Sequence, residues 1–285
     1  MPDAKTKKKI VNRKNDILYM GIVLSAVIVL VTIFAPFLEP CDPTKMELSQ
    51  KFIAPCREFI FGTDHLGRDI FSRVIEGSRV SLSVAATVVF FSAALGVSLG
   101  MISGYMGGTA DMLIMRVVDV LLAFPTIIFA LALSTMIGTG QTNLIVAITC
   151  IQWTRYARIA RGEALMLKHA EYVEAAKSIG NSTVQILGKY IFPNVISKII
   201  ILASLDIGTI ILYCASLSFL GLGAQPPSPD WGVMISEGKD YMQYAPWMAL
   251  FPGLAIAFCA LAFNMLGDGL RDLLDPRLKE VVRTD

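Results

Sequence analysis

Glu171-Tyr-Val-Glu-Ala-Ala-Lys-Ser-Ile-Gly180, continued by Asn181-Ser-Thr-Val-Gln185 and Ile191-Phe-Pro-Asn194, is the longest strongly polar stretch between the later apolar runs of this chain. Wound as a helix, it places Tyr172, Ala175, Ala176 and Ile179 on one face. Gly180 suits the position just past a helix end, where the left-handed conformation closes the last turn. Ser182-Thr-Val-Gln185 matches a capping box that opens a second helix. The spacing predicts a short helix near 168–181, a sharp corner, and a second helix running back toward the next apolar run. The two adjacent alanines let the first helix sit deep in the groove of a partner protein, and Glu174 supplies a charge that can fix its register.

Around this stretch the chain is apolar. Of its 285 residues, 54% are hydrophobic and 17% charged, with a mean hydropathy of +0.61, whereas a soluble domain carries about a quarter charged residues. Runs near the ~20 residues that cross a bilayer recur at 17–38, 81–105, 112–137, 142–160, 195–222 and 246–267. An all-α integral membrane protein with about six transmembrane helices is expected. It divides into a basic start at 1–16, a first span at 17–38, a loop with an interfacial helix at 39–80, a five-span core at 81–268 and a tail at 269–285.

Charge distribution sets the expected topology. Lys5, Lys7, Lys8, Lys9, Arg13 and Lys14 precede the first span, Arg161, Lys168, Lys177 and Lys189 lie between spans four and five, and Arg271, Arg277, Lys279 and Arg283 follow the last. The 138–141 turn has no Lys or Arg, and 223–245 has only Lys239. Both termini are therefore expected in the cytoplasm. The 39–80 loop objects with six basic residues, but seven acidic ones offset them. The first apolar run is too long for a signal peptide, so an uncleaved span in the lipid bilayer is expected. Cys150, Cys214 and Cys259 fall within spans, whereas Cys41 and Cys56 share the first outer loop, where a bridge between them would contribute about 3 kcal/mol. His65 and His169 fall on opposite sides of the membrane, so no metal site is expected.

Several features admit both structural and functional readings. Ser92, Gly96, Gly100 and Gly104 recur every fourth residue, a helix-packing face. Pro125 kinks the third span, which suits a gate and is also ordinary in membrane helices. Ile70, Phe71, Val74 and Ile75 suggest a short amphipathic helix orienting span two. The stiff Gln225-Pro-Pro-Ser-Pro-Asp-Trp231 loop reads as an outer lid or docking surface, with Trp231, Tyr241, Tyr244 and Trp247 as interfacial anchors. Arg116 and Asp119 have the spacing of a helical ion pair, and Asn264 and Asp268 read as packing and interfacial groups. Asp206, near the middle of span five, is costly at that depth, about 2.5–3.5 kcal/mol. It either lines a substrate path and attracts a cation or amino group, or is paired with a group on a partner protein, or is protonated and hydrogen-bonded.

No Gly-x-x-x-x-Gly-Lys-[Ser/Thr] phosphate loop is present, nor any nucleophile or acid–base constellation. The chain is therefore expected not to be an enzyme, and no nucleic-acid partner is expected.

Glu174-Ala-Ala176, Gly180 and Pro193 resemble the coupling motif of permease subunits in bacterial ABC importers, with Tyr190 and Phe192 standing where Ile and Leu are usual. Phe61-Gly-Thr-Asp-x-x-Gly-Arg-Asp69, Met115-Arg-Val-Val-Asp119, Leu217–Pro227, Pro229-Asp-Trp-Gly232 and Ala262–Asp272 resemble the dipeptide, oligopeptide and nickel permease family, and more narrowly its second permease subunit. The likeness runs over about 60–279. It implies the ABC importer permease fold in the bacterial inner membrane. The implied partners are a second permease subunit, two cytoplasmic ATPases that bind ATP and Mg, and an extracytoplasmic substrate-binding protein, with no cofactor in this chain. It also implies that Tyr172, Glu174, Ala175, Ala176, Ile179 and Gly180 couple to the ATPase. Short peptides are the first expected substrate. Leu205-Asp-Ile-Gly208 looks closer to nickel-type members, which keeps nickel or a metal chelate as the alternative. An ATP-independent secondary transporter or channel is the alternative of another class; the halves of the chain lack the inverted repeat such a transporter would show.

Overall fold

Small residues determine how the bundle closes. The computed structural model describes the backbone of residues 4–274 and the side chains of 16–273. The side chains of the basic start and everything in the 275–285 tail lie outside the described residues. Among the described residues, ten α-helices run in chain order: α1 (Ala4–Leu38), α2 (Ile70–Met106), α3 (Gly108–Leu122), α4 (Thr126–Ile137), α5 (Gln141–Leu167), α6 (Glu171–Ser178), α7 (Thr183–Ile186), α8 (Phe192–Phe219), α9 (Trp231–Gly238) and α10 (Trp247–Leu274). The glycine row of α2 lies directly on α5. A Cβ added at Gly96 would sit 2.3 Å from the Trp153 carbonyl oxygen, one at Gly100 2.3 Å from that of Ala157, and one at Gly104 2.5 Å from that of Arg161. The two helices run parallel with backbones in contact, which only glycine permits.

The expected spans are borne out in part. Asp16–Leu38, Ile70–Met106, Thr183–Phe219 and Trp247–Leu273 are each long and apolar enough to cross a bilayer. The 112–137 run is not one helix. It breaks at Ala123-Phe124-Pro125 into α3 and α4, bent by 92°, because Pro125 cannot donate the helical hydrogen bond at that point. The 142–160 run extends to Leu167 as the 27-residue α5, but its Arg155, Arg158, Arg161 and Glu163 make it more polar than the other long helices. No separate interfacial helix precedes span two: Ile70 starts α2 itself, capped by the Asp69 carboxylate, which accepts from the Ser72 amide at 2.8 Å. At 37 residues α2 is ~55 Å long, well beyond the ~30 Å hydrocarbon layer.

One end of the bundle, the loop end, is fastened by buried charge. Arg68 donates to Asp64 at 2.5 Å and to Glu237 of α9 at 2.8 Å, and Arg73 of α2 donates to the same Glu237 at 3.1 Å. The expectation that Trp231 is an interfacial anchor on a lid gives way here. Trp231 is buried, its indole N–H donates to the Val74 carbonyl at 2.9 Å, and it fills the space beside Gly77. Trp247 likewise donates to the Thr63 carbonyl at 3.1 Å. Trp231 thus fastens α9 to α2, and Trp247 fastens the start of α10 to the loop at Thr63. Cys41 and Cys56 are both free thiols, without the bridge that their shared loop would allow.

Where α1 ends, burial and the neighbouring Glu76 carboxyl push the pKa of Glu39 up from 4.5 to about 7, against the lowering influence of Arg79. The folded chain thus holds a proton that the unfolded chain has lost between these values. Stability from this contact is complete below pH 4.5 and falls as pH rises through 7. Glu39→Gln is expected to flatten the decline of the thermal midpoint between pH 5 and pH 8; an unchanged slope would contradict this.

Candidate functional site

The end opposite the loops carries the polar corner. The α6 helix ends as its sequence requires: Gly180 has φ +88°, the Asn181 amide donates to the Ala176 carbonyl and the Gly180 amide to that of Lys177, each at 3.1 Å. This is the Schellman arrangement. The capping box follows, with the Ser182 amide donating to Gln185 Oε1 at 2.8 Å and the Gln185 amide to Ser182 Oγ at 3.4 Å. A π turn at Leu187–Ile191 then leads into α8, whose first turn holds Pro193. Ser182→Ala is expected to cost ~1 kcal/mol and Ser182→Gly only a few tenths, read as the shift in the unfolding midpoint.

Burial divides the predicted face in two. Val173 and Ala176 are buried with Tyr156, Ala160, Ala164, Ile186 and Ile191 in a cluster shared with α5 and α8. Tyr172, Ala175 and Ile179 are exposed, Ile179 by 79%. Ala176 therefore anchors α6 to its own chain, contrary to its expected place beside Ala175 in a partner's groove. The pairing i, i+3 of Val173 with Ala176 is the inward stripe, and i, i+3, i+7 from Tyr172 is the outward one. Glu174 is also exposed, with the His169 ring 3.8 Å from its carboxylate. Sequence reasoning missed Val173, whose apolar side chain three residues before Ala176 was the available signal.

From α6 a charged seam climbs α5. Arg161 makes a forked contact with Asp111 of α3 at 2.5 and 2.7 Å, Arg158 donates to Asp119 of α3 at 2.9 Å, and Arg155 donates to Asp206 of α8 at 2.7 Å. The partner of Asp119 is thus Arg158, not the expected Arg116; α5 approaches α3 closely enough to take it. Asp206 is buried, and its other oxygen accepts from Gln152 Nε2 at 2.9 Å. The carboxylate is held inside the chain, with the Arg155 guanidinium between it and the open side. Three arginines spaced by three residues reach acids on two helices, a constellation the sequence showed only as isolated charges.

At the loop end, ligand atoms of Asp64, His65 and Glu237 lie within 4.8 Å of one another. Both carboxylates already accept from buried arginines, so the donor set is an ion-pair fastening rather than a vacant metal cage.

Long apolar helices, a charged seam through them and a short, firmly rooted helix exposed at one end define a membrane transport component. The chain belongs to the family of binding-protein-dependent transport system inner membrane components, whose model matches residues 96–280. It is 41% identical over 94% of its length to the dipeptide transport system permease protein DppC of Alkalihalophilus pseudofirmus, covering 88% of that protein. It is 45% identical over 88% of its length to the glutathione transport system permease protein GsiD of Escherichia coli O157:H7, covering 84% of it. To the probable D,D-dipeptide transport system permease protein DdpC of Escherichia coli K12 it is 42% identical, over 90% of this chain and 87% of that one. An inward-facing structure of the MetNI methionine ABC transporter shares the fold, with a TM-score of 0.59 at 18% identity, over 72% of this chain and 98% of that one. The chain is an integral membrane permease component, not an enzyme, and this membership favours the importer reading over an ATP-independent transporter or channel.

Proposed function

We propose that this chain is one of two permease subunits of a bacterial importer for short peptides, lying in the inner membrane with both termini in the cytoplasm. The observation that carries the reading is α6: a helix closed at Gly180, rooted by Val173 and Ala176 and offering Tyr172, Ala175 and Ile179 to a partner, in a chain whose relatives are named as peptide and glutathione permeases. One of two cytoplasmic ATPases, which bind ATP and Mg, grips that stripe through a groove; an extracytoplasmic binding protein delivers solute at the loop end. Because α6 shares its core with α5 and α8, a push on it moves both as a unit, a two-state element biased from a distant site. The relatives' names favour peptide over nickel.

Uptake of a labelled tripeptide and of labelled nickel, measured in parallel in cells with and without the chain, tests this. Loss of peptide uptake alone is expected. Loss of nickel uptake alone, or of neither, would overturn the substrate assignment.

A further inference from the structure

Between α5 and α8 runs an open groove of about 790 Å³, lined by Arg158, Ile159, Glu163, Lys198, Ile201 and Leu205, among others. One ion pair lines it, and a second stands just beyond its other end, one helical turn past Arg158. The two helices are antiparallel, with Lys198 bonded to Glu163 in the groove and Arg155 facing Asp206 beyond it. Arg155 and Glu163 are eight residues apart on α5, so the pairs stand ~12 Å from each other.

The pairs are asymmetric. The Arg155 side chain is 43% exposed and that of Asp206 1%; Lys198 is 53% exposed and Glu163 14%. In both, the acid is the buried or half-buried partner that holds the cation, and the cation is the exposed one. Arg158 adds a third exposed cation between them. A lipid-facing wall is a poor home for such a surface, since charges at bilayer depth face water or protein. The groove between α2 and α8, lined by Phe90, Val97, Met101, Phe192 and Ile196, has the apolar surface that lipid suits.

We propose that the α5–α8 groove is this chain's wall of the solute path and a recognition track for carboxylate groups, with Arg155 and Lys198 as its specificity-determining residues. The free C-terminal carboxylate of a short peptide passes from one guanidinium or ammonium station to the next, each held ready by its buried or half-buried acid. An extended tripeptide of about 10 Å fits within the ~12 Å between stations. Asp206 acts through Arg155 as a positioning residue and does not itself meet the solute.

The inference rests on the peptide-permease reading, and its test therefore reads occupancy rather than uptake. In the complete transporter, Ile201→Cys is placed on the groove floor, with the exposed Cys41, Cys56 and Cys150 replaced by Ala and the buried Cys214 and Cys259 retained. Maleimide labelling is then timed with trialanine or trialanine amide. Labelling at least threefold slower with trialanine, no slowing with the amide, and loss of the effect in Lys198→Gln are expected. Equal effects of acid and amide, no effect of either, or a thiol that labels only without the partner permease would overturn the proposal. Protection without peptide uptake would count against the function proposed above and leave this site standing.

Discussion

Ala175→Arg is expected to reduce ATP-driven peptide uptake to below about a tenth of wild type, a coupling loss of at least ~1.4 kcal/mol, with the chain still folded and abundant in the membrane. Ala175 is exposed while its neighbour Ala176 is buried. A long cation at 175 therefore disturbs no contact within the chain and meets only whatever grips α6 from outside. The same substitution at Ala176 would force a charge into the cluster of Val173, Tyr156 and Ile186 and remove the chain by misfolding. The contrast is the informative part: uptake lost with protein retained at 175, both lost at 176. Uptake in Ala175→Arg indistinguishable from wild type would show that the outward stripe carries no contact that matters.

Gly100→Leu is expected to have the largest effect on stability. An added Cβ at this position falls 2.3 Å from the Ala157 carbonyl oxygen and 2.9 Å from its Cα, both backbone atoms that cannot swing aside. Overpacking commonly costs about 1–3 kcal/mol, and prising two parallel helices apart exceeds that range. Little folded chain should be recovered, judged by membrane abundance and by the thermal midpoint of what remains. Gly188→Ala, where nothing lies within 4 Å, is the matched control and should behave as wild type. A normally stable Gly100→Leu chain would mean that α2 and α5 do not touch at this register.

The two substitutions also mark what the sequence could and could not convey. Local chemistry was legible. The glycine row of α2, the stop at Gly180 and the Ser182 capping box depend on residues within a turn or two of one another, and each appears as expected. Pro125 was read as a kink, but the size of the break at 123–125 depends on how α3 and α4 pack and could not be. Pairings across the bundle were hidden for the same reason. Asp119 has Arg116 at helical spacing, yet meets Arg158, 39 residues on. Asp206 seemed solitary because Gln152 and Arg155 lie on another helix. Trp231 was misplaced because it looks the same in sequence whether it anchors at a membrane surface or donates to Val74 inside the fold. Periodicity over only eight residues of α6 also could not separate the stripe through Val173 and Ala176 from the one through Tyr172 and Ala175.

The central claim is that a nucleotide-hydrolysing partner grips the outward stripe of α6. A photoreactive phenylalanine at Ile179, illuminated in whole cells, tests it most directly. It should form an adduct that mass spectrometry identifies as an ATPase subunit bearing a Gly-x-x-x-x-Gly-Lys-[Ser/Thr] phosphate loop, while the same probe at the exposed Phe91 of α2 gives none with that subunit. No ATPase adduct from Ile179, or an equal one from Phe91, would contradict it.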